Sequence, residues 1–229
     1  MTIAFIQARQ NSKRFKNKIF SKLDNAYIID WVCHRLTKSK KIKKFYVLIP
    51  NNKENLKLKL YFKKKNINYI LGPENNVLRR FFIGLQTTKA DQIVRICGDN
   101  PFICWKSIDN LIDFFKKNKC DYAYNHIPYK NNFPDGIGAE IVSAKILEKI
   151  YLNAKKTNHK EHVFNYIWDN INDFNVKTYF HRNNKLNYPK IKLDIDYVDD
   201  LKKYKTIKPK INDAAERIIL KYKKMYNKI

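Results

Sequence analysis

The sequence predicts an α/β fold in which a mostly parallel mixed sheet carries helices on both faces. Apolar runs of strand length alternate with segments whose apolar residues recur at helical spacing, from residue 3 to about residue 124. Hydrophobic residues make up 44% of the 229 residues, which is enough for a compact core. The length favours a single domain over residues 1–229, with a substrate or dimerisation extension at about 126–180.

The predicted elements alternate in order along the chain. Residues 3–6 have the length of a strand buried on both faces, and a polar, basic loop follows to Lys18. A helix is expected over 26–37, with Asn25 as its N-cap. Further strands are expected at 45–49, 67–71, 93–97, 121–124, 139–142, 175–180 and 191–195. Further helices are expected up to about 65, at 76–87, around 108–115 with Ser107 as cap, twice between 142 and 175, and once or twice after 196. Because ligands of such sheets bind at the carboxyl ends of the strands, functional residues are expected at that edge.

Composition excludes several classes of protein. No apolar stretch approaches the ~18 residues that cross a membrane, and the first nine residues lack the pattern of a signal peptide, so we expect a cytoplasmic protein. The four cysteines contain no C-x-x-C pair and lie in apolar segments, which argues against a disulfide framework or a zinc site.

The net charge of +26 permits a surface for nucleic acid or another polyanion. Of the 47 basic residues, however, only eight are Arg, and Lys runs such as 38–44 and 63–65 are typical of solvated helix ends. We therefore favour solvation, and nucleic acid is an unlikely partner. The scarce Arg residues point to sites that need a planar, permanently charged group. Six of the eight lie within the first 95 residues, and five of these fall in three short segments: Arg9, Arg14, Arg79, Arg80 and Arg95.

The loop after the first strand has the composition of a polyphosphate site. Residues 9–18 contain five cations and one hydroxyl. Arg side chains bind phosphate oxygens bidentately, and loop amides can form an anion nest. The alternative is a solvated basic loop. The pattern is neither a Walker loop nor a G-x-G-x-x-G fingerprint, which argues against those two nucleotide-binding classes.

Residues 7–18, Q-A-R-Q-N-S-K-R-F-K-N-K, resemble the Q-A-R-M-G-S-x-R-L-P-G-K opening of the spore coat polysaccharide biosynthesis cytidylyltransferases. This family is related to the enzymes that make CMP-activated sialic acid and CMP-activated 3-deoxy-manno-octulosonate. The resemblance implies a Rossmann-like fold of the nucleotide-diphospho-sugar transferase (GT-A) type. It also implies that the CTP triphosphate is held by Ala8, Arg9, Ser12, Arg14 and Lys18.

Two family glycines are replaced in this loop, by Asn11 and Asn17. Asn is the non-glycine residue that best tolerates left-handed backbone conformations, so the shape of the loop is expected to survive.

Two further segments are similar to family motifs. Residues 72–81, G-P-E-N-N-V-L-R-R-F, match G-S-E-D-D-V-L-x-R-Y, which makes Arg80 a nucleotide-binding candidate; a helix-surface cation is the alternative. Residues 94–101, V-R-I-C-G-D-N-P, match V-R-I-T-G-D-x-P, and Asp99 at the strand end is placed to ligate a metal; a turn residue is the alternative. Arg95 lies in an apolar run and needs an anionic partner, either a structural carboxylate or the acidic substrate.

Residues 193–201, L-D-I-D-Y-V-D-D-L, look like the L-D-I-D-x-x-x-D-L signature shared with sialic-acid cytidylyltransferases. Period-two spacing on a strand puts Asp194 and Asp196 on one face, where they repel each other unless a cation lies nearby. Magnesium suits a few carboxylates plus phosphate oxygens. The predicted metal ligands are therefore Asp99 and Asp196, with Asp194 second. N-capping of the closing helix better explains Asp199 and Asp200.

Two last motifs imply the acceptor site. Residues 134–140, P-D-G-I-G-A-E, resemble P-D-G-x-x-x-E, and residues 160–163, K-E-H-V, resemble R-E-H-V. By this resemblance the acceptor contacts are Asn125, Asp135, Gly136, Glu140, Glu161 and His162, and Arg95 is a further substrate-binding candidate because of its need for an anion. For His162 a structural role is the alternative.

The resemblance as a whole implies a magnesium-dependent cytidylyltransferase. It would transfer CMP from CTP to an acidic, nonulosonic-acid-like sugar for glycan biosynthesis and release pyrophosphate, with Arg9, Lys18 and Asp99 as catalytic residues. We expect a homodimer and no membrane partner. The alternatives are a metal-dependent glycosyltransferase of the same fold or, less favoured, a basic nucleic-acid-binding protein.

Overall fold

A seven-stranded sheet forms the centre of the computed structural model, which describes residues 1–12, 14–181 and 184–226. The strands are β1 (Thr2–Gln7), β2 (Lys22–Leu23), β3 (Ala26–Tyr27), β4 (Lys44–Pro50), β5 (Tyr69–Gly72), β6 (Gln92–Cys97), β7 (Tyr122–Tyr124), β8 (Glu140–Ser143) and β9 (Val176–Thr178). The short strands β2 and β3 pair with each other in a hairpin, and the other seven follow the order β5-β4-β1-β6-β8-β7-β9.

Strand direction places most loops that follow strands at one edge. β5, β4, β1 and β6 are mutually parallel, whereas β8 runs antiparallel to both β6 and β7, and β9 is parallel to β7. The carboxyl ends of every strand of this sheet except β8 therefore meet at the same edge, which we call the carboxyl edge. This confirms the predicted mixed, mostly parallel sheet.

Helices cover both faces of the sheet, as predicted. They are α1 (Ile28–Leu36), α2 (Leu56–Lys64), α3 (Val77–Thr88), α4 (Trp105–Asn118), α5 (Ala144–Asn153), α6 (Thr157–Glu161), α7 (Asn165–Asp169), α8 (Val198–Thr206) and α9 (Ala215–Tyr226). The period-two alternation of β1 sends Ala4 and Ile6 into a core with α1, α2 and α4, and Ile3 and Phe5 into a core with α3, α5 and α7. A third apolar cluster joins α8 and α9 to residues 186–195.

Two predicted helix caps are wrong. Residues 22–27 form the β2–β3 hairpin, so α1 begins only at Ile28, and Asp30 Oδ2 accepts a hydrogen bond from the backbone N–H of Tyr27, the N-cap residue, instead of Asn25 acting as cap. Ser107 lies inside α4, which begins after Cys104. The main-chain N–H of Cys104 donates to Ile137 O at 2.7 Å, and this contact fixes the chain where the helix starts.

The expected strand at 191–195 is also wrong. This segment has the alternating burial of a strand, but its pairing consists of an isolated bridge between Lys192 and Asp135. The apolar side chains of Ile191, Leu193 and Ile195 pack into the third cluster, so the intervening side chains point away from it. The segment between β8 and β9 holds three short helices instead of the expected two.

Among the described residues, no helix combines the length and the apolar character needed to cross a bilayer.

Candidate active site

Two predicted site carboxylates from distant parts of the chain meet at the ammonium group of Lys18. The Lys18 Nζ lies 2.6 Å from Asp99 Oδ2 and 3.5 Å from Asp196 Oδ1. Arg14 Nη2 donates to the same Asp196 oxygen at 3.0 Å. Asp99 follows β6 and Asp196 precedes α8, so the fold brings the basic loop and both acidic motifs together at the carboxyl edge. We call these four residues the Lys18 cluster.

Local backbone geometry explains how the cluster forms. Asn17 has φ 57° and ψ 23°, in the left-handed region, and the 3-10 turn Lys18–Phe20 starts directly after it. Asn17 thus keeps the conformation that the family glycine would provide, whereas Asn11 is not among the residues with positive φ. At Gly98 an added Cβ would lie 2.9 Å from Gln7 O, so glycine lets the loop that carries Asp99 lie against the end of β1.

The Asp194 carboxyl is crowded by other acidic groups. Its Oδ1 is buried and has no hydrogen-bond partner among the described residues, while Oδ2 lies 3.4 Å from Lys192 Nζ. Burial, followed by the nearby charge of Asp135 and then those of Asp196 and Asp99, raises the pKa of Asp194 to about 6. Burial also raises the pKa of Asp135. Burial is thus the first cause of the raised pKa of both carboxyls, and the neighbouring acidic groups add to it.

Asp196 differs from Asp194 in its neighbours. Burial alone would raise its pKa, but the positive charges of Lys18, Arg14 and Lys192 together hold the pKa of Asp196 below its ordinary value. Arg14 is exposed, and its guanidinium also lies 5.4 Å from the centre of the Tyr197 ring. Asp196 is thus an ionised carboxylate held between three cations.

Arg9 and Arg80 form a second cationic point beside the same loop. Arg9 is exposed and forms no ion pair within the described part of the chain. Arg80 is buried; its Nη1 donates to Pro73 O at 2.7 Å and Glu74 O at 3.0 Å, and its Nε has no partner among the described atoms. Burial and the nearby charge of Arg9 lower the pKa of Arg80 to about 10. The nearby charge of Glu74 opposes this effect, but neither guanidinium forms an ion pair among the described residues, so the two groups form a site suited to an anion.

The other predicted nucleotide-binding residues lie along this loop. Ala8 is buried at the end of β1 and its N–H donates to Leu48 O at 3.2 Å. Ser12 is half-buried. Lys13, one of the five cations counted in the loop, lies outside the described residues.

Arg95 and Glu140 are paired with each other. They are register partners on β6 and β8, and Arg95 Nη1 contacts Glu140 Oε2. Arg95 Nε also donates to Gln7 Oε1 at 3.0 Å, and Tyr122 OH donates to Glu140 Oε1 at 2.6 Å. Of the two partners left open for Arg95, this structure contains the structural carboxylate. Both side chains thus form a buried ion pair, and their contact with an acceptor stays a prediction.

Asn125 is likewise engaged within the protein, and its contact with an acceptor stays a prediction. Its side chain is fully buried, where Oδ1 accepts from Ala139 N at 2.8 Å and Nδ2 donates to Ser107 O at 3.3 Å. An added Cβ on Gly138 would lie 2.0 Å from Asn125 O, so the loop before β8 packs directly on Asn125. This geometry gives Asn125 the role of holding that loop.

The same loop carries Asp135 and Gly136 to the acidic group. Gly136 has φ +85°, and an added Cβ would lie 2.5 Å from Asp194 N. Leu193 N donates to Asp135 O at 3.0 Å, so the two segments lie side by side. Asp135 therefore belongs with the carboxylates of the site.

Glu161 and His162 are not brought to the Lys18 cluster. Both are exposed at the end of α6, and within the described residues neither side chain forms a hydrogen bond or ion pair. Helix α6 packs on α3, on the face of the sheet that carries α5 and α7. The R-E-H-V resemblance gave no physical reason for these residues to reach the Lys18 cluster.

The carboxylates suit a hard divalent cation. The orphaned Asp194 Oδ1 and the raised pKa values of Asp194 and Asp135 indicate oxygen donors with too little positive charge around them. Among the residues that the structure describes, no three His, Cys, Asp or Glu side chains are close enough to form a complete metal site. The carboxylate oxygens would suit magnesium, which takes one or two carboxylates and completes its shell with phosphate oxygens and water.

Sequence reasoning missed several contributors. Lys192 contacts both Asp194 and Asp196, and its position in the alternating pattern of 191–196 could have revealed it. Asn55 is buried and its Oδ1 accepts from Gln10 N at 2.8 Å, which ties the basic loop to the residues after β4. The expected position of Asn55 at the carboxyl edge could have indicated a role in the site, but neither Asn55 nor Lys192 belongs to a motif that the sequence analysis identified.

Similar proteins agree with this arrangement. An uncharacterized protein of Methanocaldococcus jannaschii is 36% identical over 202 residues, which cover 88% of this chain and 81% of that protein. The spore coat polysaccharide biosynthesis protein SpsF of Bacillus subtilis is 30% identical over 217 residues, 93% of this chain and 87% of that protein. The structure of a cytidylyltransferase from Leptospira borgpetersenii superposes with a TM-score of 0.89 at 26% identity and covers 99% of this chain and 95% of its own.

The sequence also matches the cytidylyltransferase family over residues 3–225, nearly its whole length. The match thus includes the basic loop, Asp99 and residues 193–201. This chain belongs to the cytidylyltransferase family and is a nucleotidyltransferase.

Proposed function

We propose that this protein transfers CMP from CTP to an acidic sugar and releases pyrophosphate, in the biosynthesis of a surface glycan. The observation that carries the proposal is the Lys18 cluster, in which Asp99 and Asp196 both contact the Lys18 ammonium and Arg14 pairs with Asp196. Family membership supports cytidylyl transfer, and the relative SpsF is named for polysaccharide biosynthesis.

The triphosphate would lie along the basic loop. Arg9 and Arg80 offer guanidinium groups without carboxylate partners, and Arg14 and Lys18 add charge at the opposite end of the loop. Ser12 and the loop amides supply hydrogen-bond donors. Binding of an anion here relieves the repulsion between Arg9 and Arg80, so the loop has higher affinity for phosphate than a simple count of charges indicates.

The reaction is a substitution at the α-phosphorus. The oxygen of an acceptor hydroxyl forms a bond to the α-phosphorus, the bond to the bridging oxygen breaks, and pyrophosphate leaves with that electron pair, while the hydroxyl proton passes to solvent. Such transfers depend on positioning and on neutralising charge. Lys18, Arg14 and Arg9 would stabilise the negative charge that develops on the pyrophosphate.

Asp99 and Asp196 would hold magnesium, with Asp194 as an additional ligand. The bound ion would neutralise phosphate charge and make the acceptor hydroxyl more acidic. Lys18, which now contacts both Asp99 and Asp196, keeps their oxygens directed to one point.

The acidic sugar is supported by the resemblance of residues 134–140 to the family motif P-D-G-x-x-x-E. Gly136 and Asp135 lie next to Asp194, so this part of the motif is within the site. We also propose that the active form is a homodimer. Family membership favours nucleotidyl transfer over the two alternatives, glycosyl transfer and nucleic-acid binding.

A substrate screen tests the proposal. The protein is incubated with each of the four nucleoside triphosphates, magnesium and a panel of acidic and neutral sugars, and phosphate is measured after pyrophosphatase treatment. We expect pyrophosphate release that needs both CTP and an acidic sugar. A glycosyltransferase would instead release nucleotide from a nucleotide sugar, and pyrophosphate release that is independent of any sugar would contradict the acceptor assignment.

A matched pair of variants makes the screen specific for the site. Asp196→Asn removes a carboxylate of the Lys18 cluster, whereas Asp199→Asn changes an exposed carboxylate that pairs with Lys202 on α8. The first variant should lose turnover and the second should retain it.

A further inference from the structure

Three loops meet at the carboxyl edge, and one of them is the basic loop. The middle loop contacts both of the others. The three loops follow the adjacent strands β1, β4 and β5, so all three lie at the carboxyl edge. The loop after β1 carries the proposed phosphate-binding residues. The loop after β5 contains the two carbonyl groups that hold Arg80. The loop after β4, residues 51–55, lies between them and was assigned no role by sequence.

Asn55 fixes the backbone of the basic loop. Its side chain is 2% exposed, and its Oδ1 accepts the hydrogen bond from Gln10 N at 2.8 Å. A backbone N–H can only donate, so the atom that faces it must be the amide oxygen, which sets the orientation of the amide. The neighbouring Glu54 Oε2 accepts from Asn11 Nδ2 at 2.8 Å. Two consecutive residues after β4 therefore hold two consecutive residues of the basic loop.

Asn52 in turn holds Asn55. Its Oδ1 accepts from both the backbone N and the Nδ2 of Asn55, at 3.0 and 2.6 Å. With its Nδ2 engaged in this way, Asn55 has only its oxygen left for Gln10. A rotation of the Asn55 amide would place a donor against the Gln10 N–H and an oxygen against Asn52 Oδ1, which costs two hydrogen bonds.

Asn52 also connects to the third loop. Its Nδ2 donates to Glu74 Oε2 at 2.6 Å. The main-chain oxygens of Pro73 and Glu74 accept from Arg80 Nη1, so the Asn52 contact bears on the loop that orients this guanidinium. The side-chain amide of Asn52 thus contacts both Asn55, which holds the backbone of the basic loop, and Glu74, whose main-chain oxygen accepts from Arg80.

The tethers occur where the sequence departs from the family pattern. Asn11 and Asn17 stand in place of the two family glycines, and each side chain ties the loop down: Asn11 donates to Glu54, and Asn17 Oδ1 accepts from Gln10 Nε2 at 3.0 Å. These side-chain hydrogen bonds restrict the basic loop at positions where glycine would leave the backbone more freedom. A loop ordered before binding loses less conformational entropy when the phosphates arrive.

We propose that Asn52 and Asn55 are positioning residues for the triphosphate, which preset the basic loop and Arg80 without touching the nucleotide. This inference rests on the proposed function of the loop as a phosphate site. Since Asn52 and Asn55 are remote from the reacting α-phosphorus, they act on the binding of phosphates in the ground state and the transition state alike. They should therefore affect the KM for CTP more than kcat.

Kinetics of Asn→Ala variants test the proposal. Asn55→Ala and Asn52→Ala should each raise the KM for CTP by about fivefold to tenfold, as expected for the loss of a hydrogen bond of ordinary strength. We expect kcat and the KM for the sugar to stay within about twofold. The double variant should resemble the single variants, because the two residues act as one unit. Asn153→Ala, an exposed change on α5, is the matched control and should behave as the parent protein.

A second measurement reports the loop without turnover. Arg9, Arg14 and Lys16 are exposed trypsin sites, so limited proteolysis measures how often the basic loop opens. Asn55→Ala should accelerate cleavage there several-fold in the absence of ligand, and inorganic pyrophosphate should protect the parent protein at lower concentration than the variant. If Asn55→Ala does not fold by circular dichroism, Glu54→Ala, which alters an exposed side chain, should still raise the KM for CTP by about twofold to threefold.

The outcomes separate this inference from the proposed function. Unchanged KM and unchanged cleavage in the Asn variants, additive effects in the double variant, or a fall in kcat alone would overturn the positioning role. If the parent protein released no pyrophosphate from any nucleoside triphosphate, the proposed function would fail, while the cleavage and protection assays would still decide whether these residues order the loop.

Discussion

Replacement of Arg95 should show whether this residue acts in stability or in substrate binding. Its guanidinium contacts Glu140, and their side chains are only 16% and 4% exposed. Arg95→Met would leave Glu140 buried with Tyr122 as hydrogen-bond donor but without its main opposite charge. The loss of one partner of a buried ion pair costs about 3–5 kcal/mol of unfolding free energy. We expect a loss of this size in urea denaturation at pH 7.5, followed by circular dichroism and tryptophan fluorescence.

The double variant Arg95→Met/Glu140→Leu sharpens the test. Because it leaves neither charge unpaired, it should be less destabilised than Arg95→Met alone. In a double-mutant cycle the coupling energy should be about 2 kcal/mol or more. Arg95→Met with parental stability and only a raised KM for the sugar would refute the structural role and restore Arg95 as a substrate ligand.

The pH dependence gives a third check on this pair. Burial alone would raise the pKa of Glu140, but Arg95, then His126, and the hydrogen bond from Tyr122 hold it below its ordinary value. A carboxyl whose pKa is lowered by folding stabilises the native state above its unfolded pKa of about 4.5 and loses that contribution as the pH falls. Glu140→Gln should therefore cost most at pH 7 and progressively less below about pH 4.5. A cost that is constant from pH 7 to pH 3.5 would show that charge is not the cause.

Three further predictions concern the site itself. Asp99→Asn and Asp196→Asn should each lower kcat by about 100-fold or more in the presence of magnesium while the circular dichroism spectrum stays that of the parent protein, and full activity would remove the metal assignment. Lys18→Ala should raise the KM for CTP by about tenfold or more, since a charged phosphate contact is lost, and unchanged initial-rate kinetics would exclude Lys18 from the phosphate site. Asp194→Asn should lower activity but raise the unfolding free energy by about 1–3 kcal/mol in metal-free buffer at pH 8, because it removes one of several crowded carboxylates; a loss of stability by urea titration would contradict this.

The general architecture could be predicted because it depends on local patterns. Alternation of apolar strands and amphipathic helices indicated the parallel sheet, and the rule that parallel strands share a carboxyl edge placed residues 9–18 and Asp99 together. Asp196 joins them although its segment is not a strand. Its alternation with the buried Leu193 and Ile195 was sufficient to direct the carboxylate out of the third core cluster.

Contacts that depend on tertiary packing could not be predicted in this way. The burial of Arg95 showed that it needs an anion, but the choice of Glu140 followed from the antiparallel insertion of β8 beside β6, which no pattern specified. The same holds for the caps of α1 and α4, where a hairpin and a contact to Ile137 set the helix start. Local preference for Asn25 or Ser107 as caps was weaker than these constraints.

The Asn residues of the basic loop show how a departure from a motif is interpreted in physical terms. A glycine replaced by Asn suggests either a lost function or a conformation that Asn can also adopt. Asn17 follows the second course, since its φ of 57° lies in the left-handed region. Asn11 does not adopt a glycine-like conformation, because its φ is not positive; its side chain instead forms a hydrogen bond to Glu54. The backbone at Asn11 does not need the conformational freedom of glycine, and the Asn side chain adds a hydrogen bond to Glu54. A comparison of motif letters alone would therefore underestimate how well the loop is ordered.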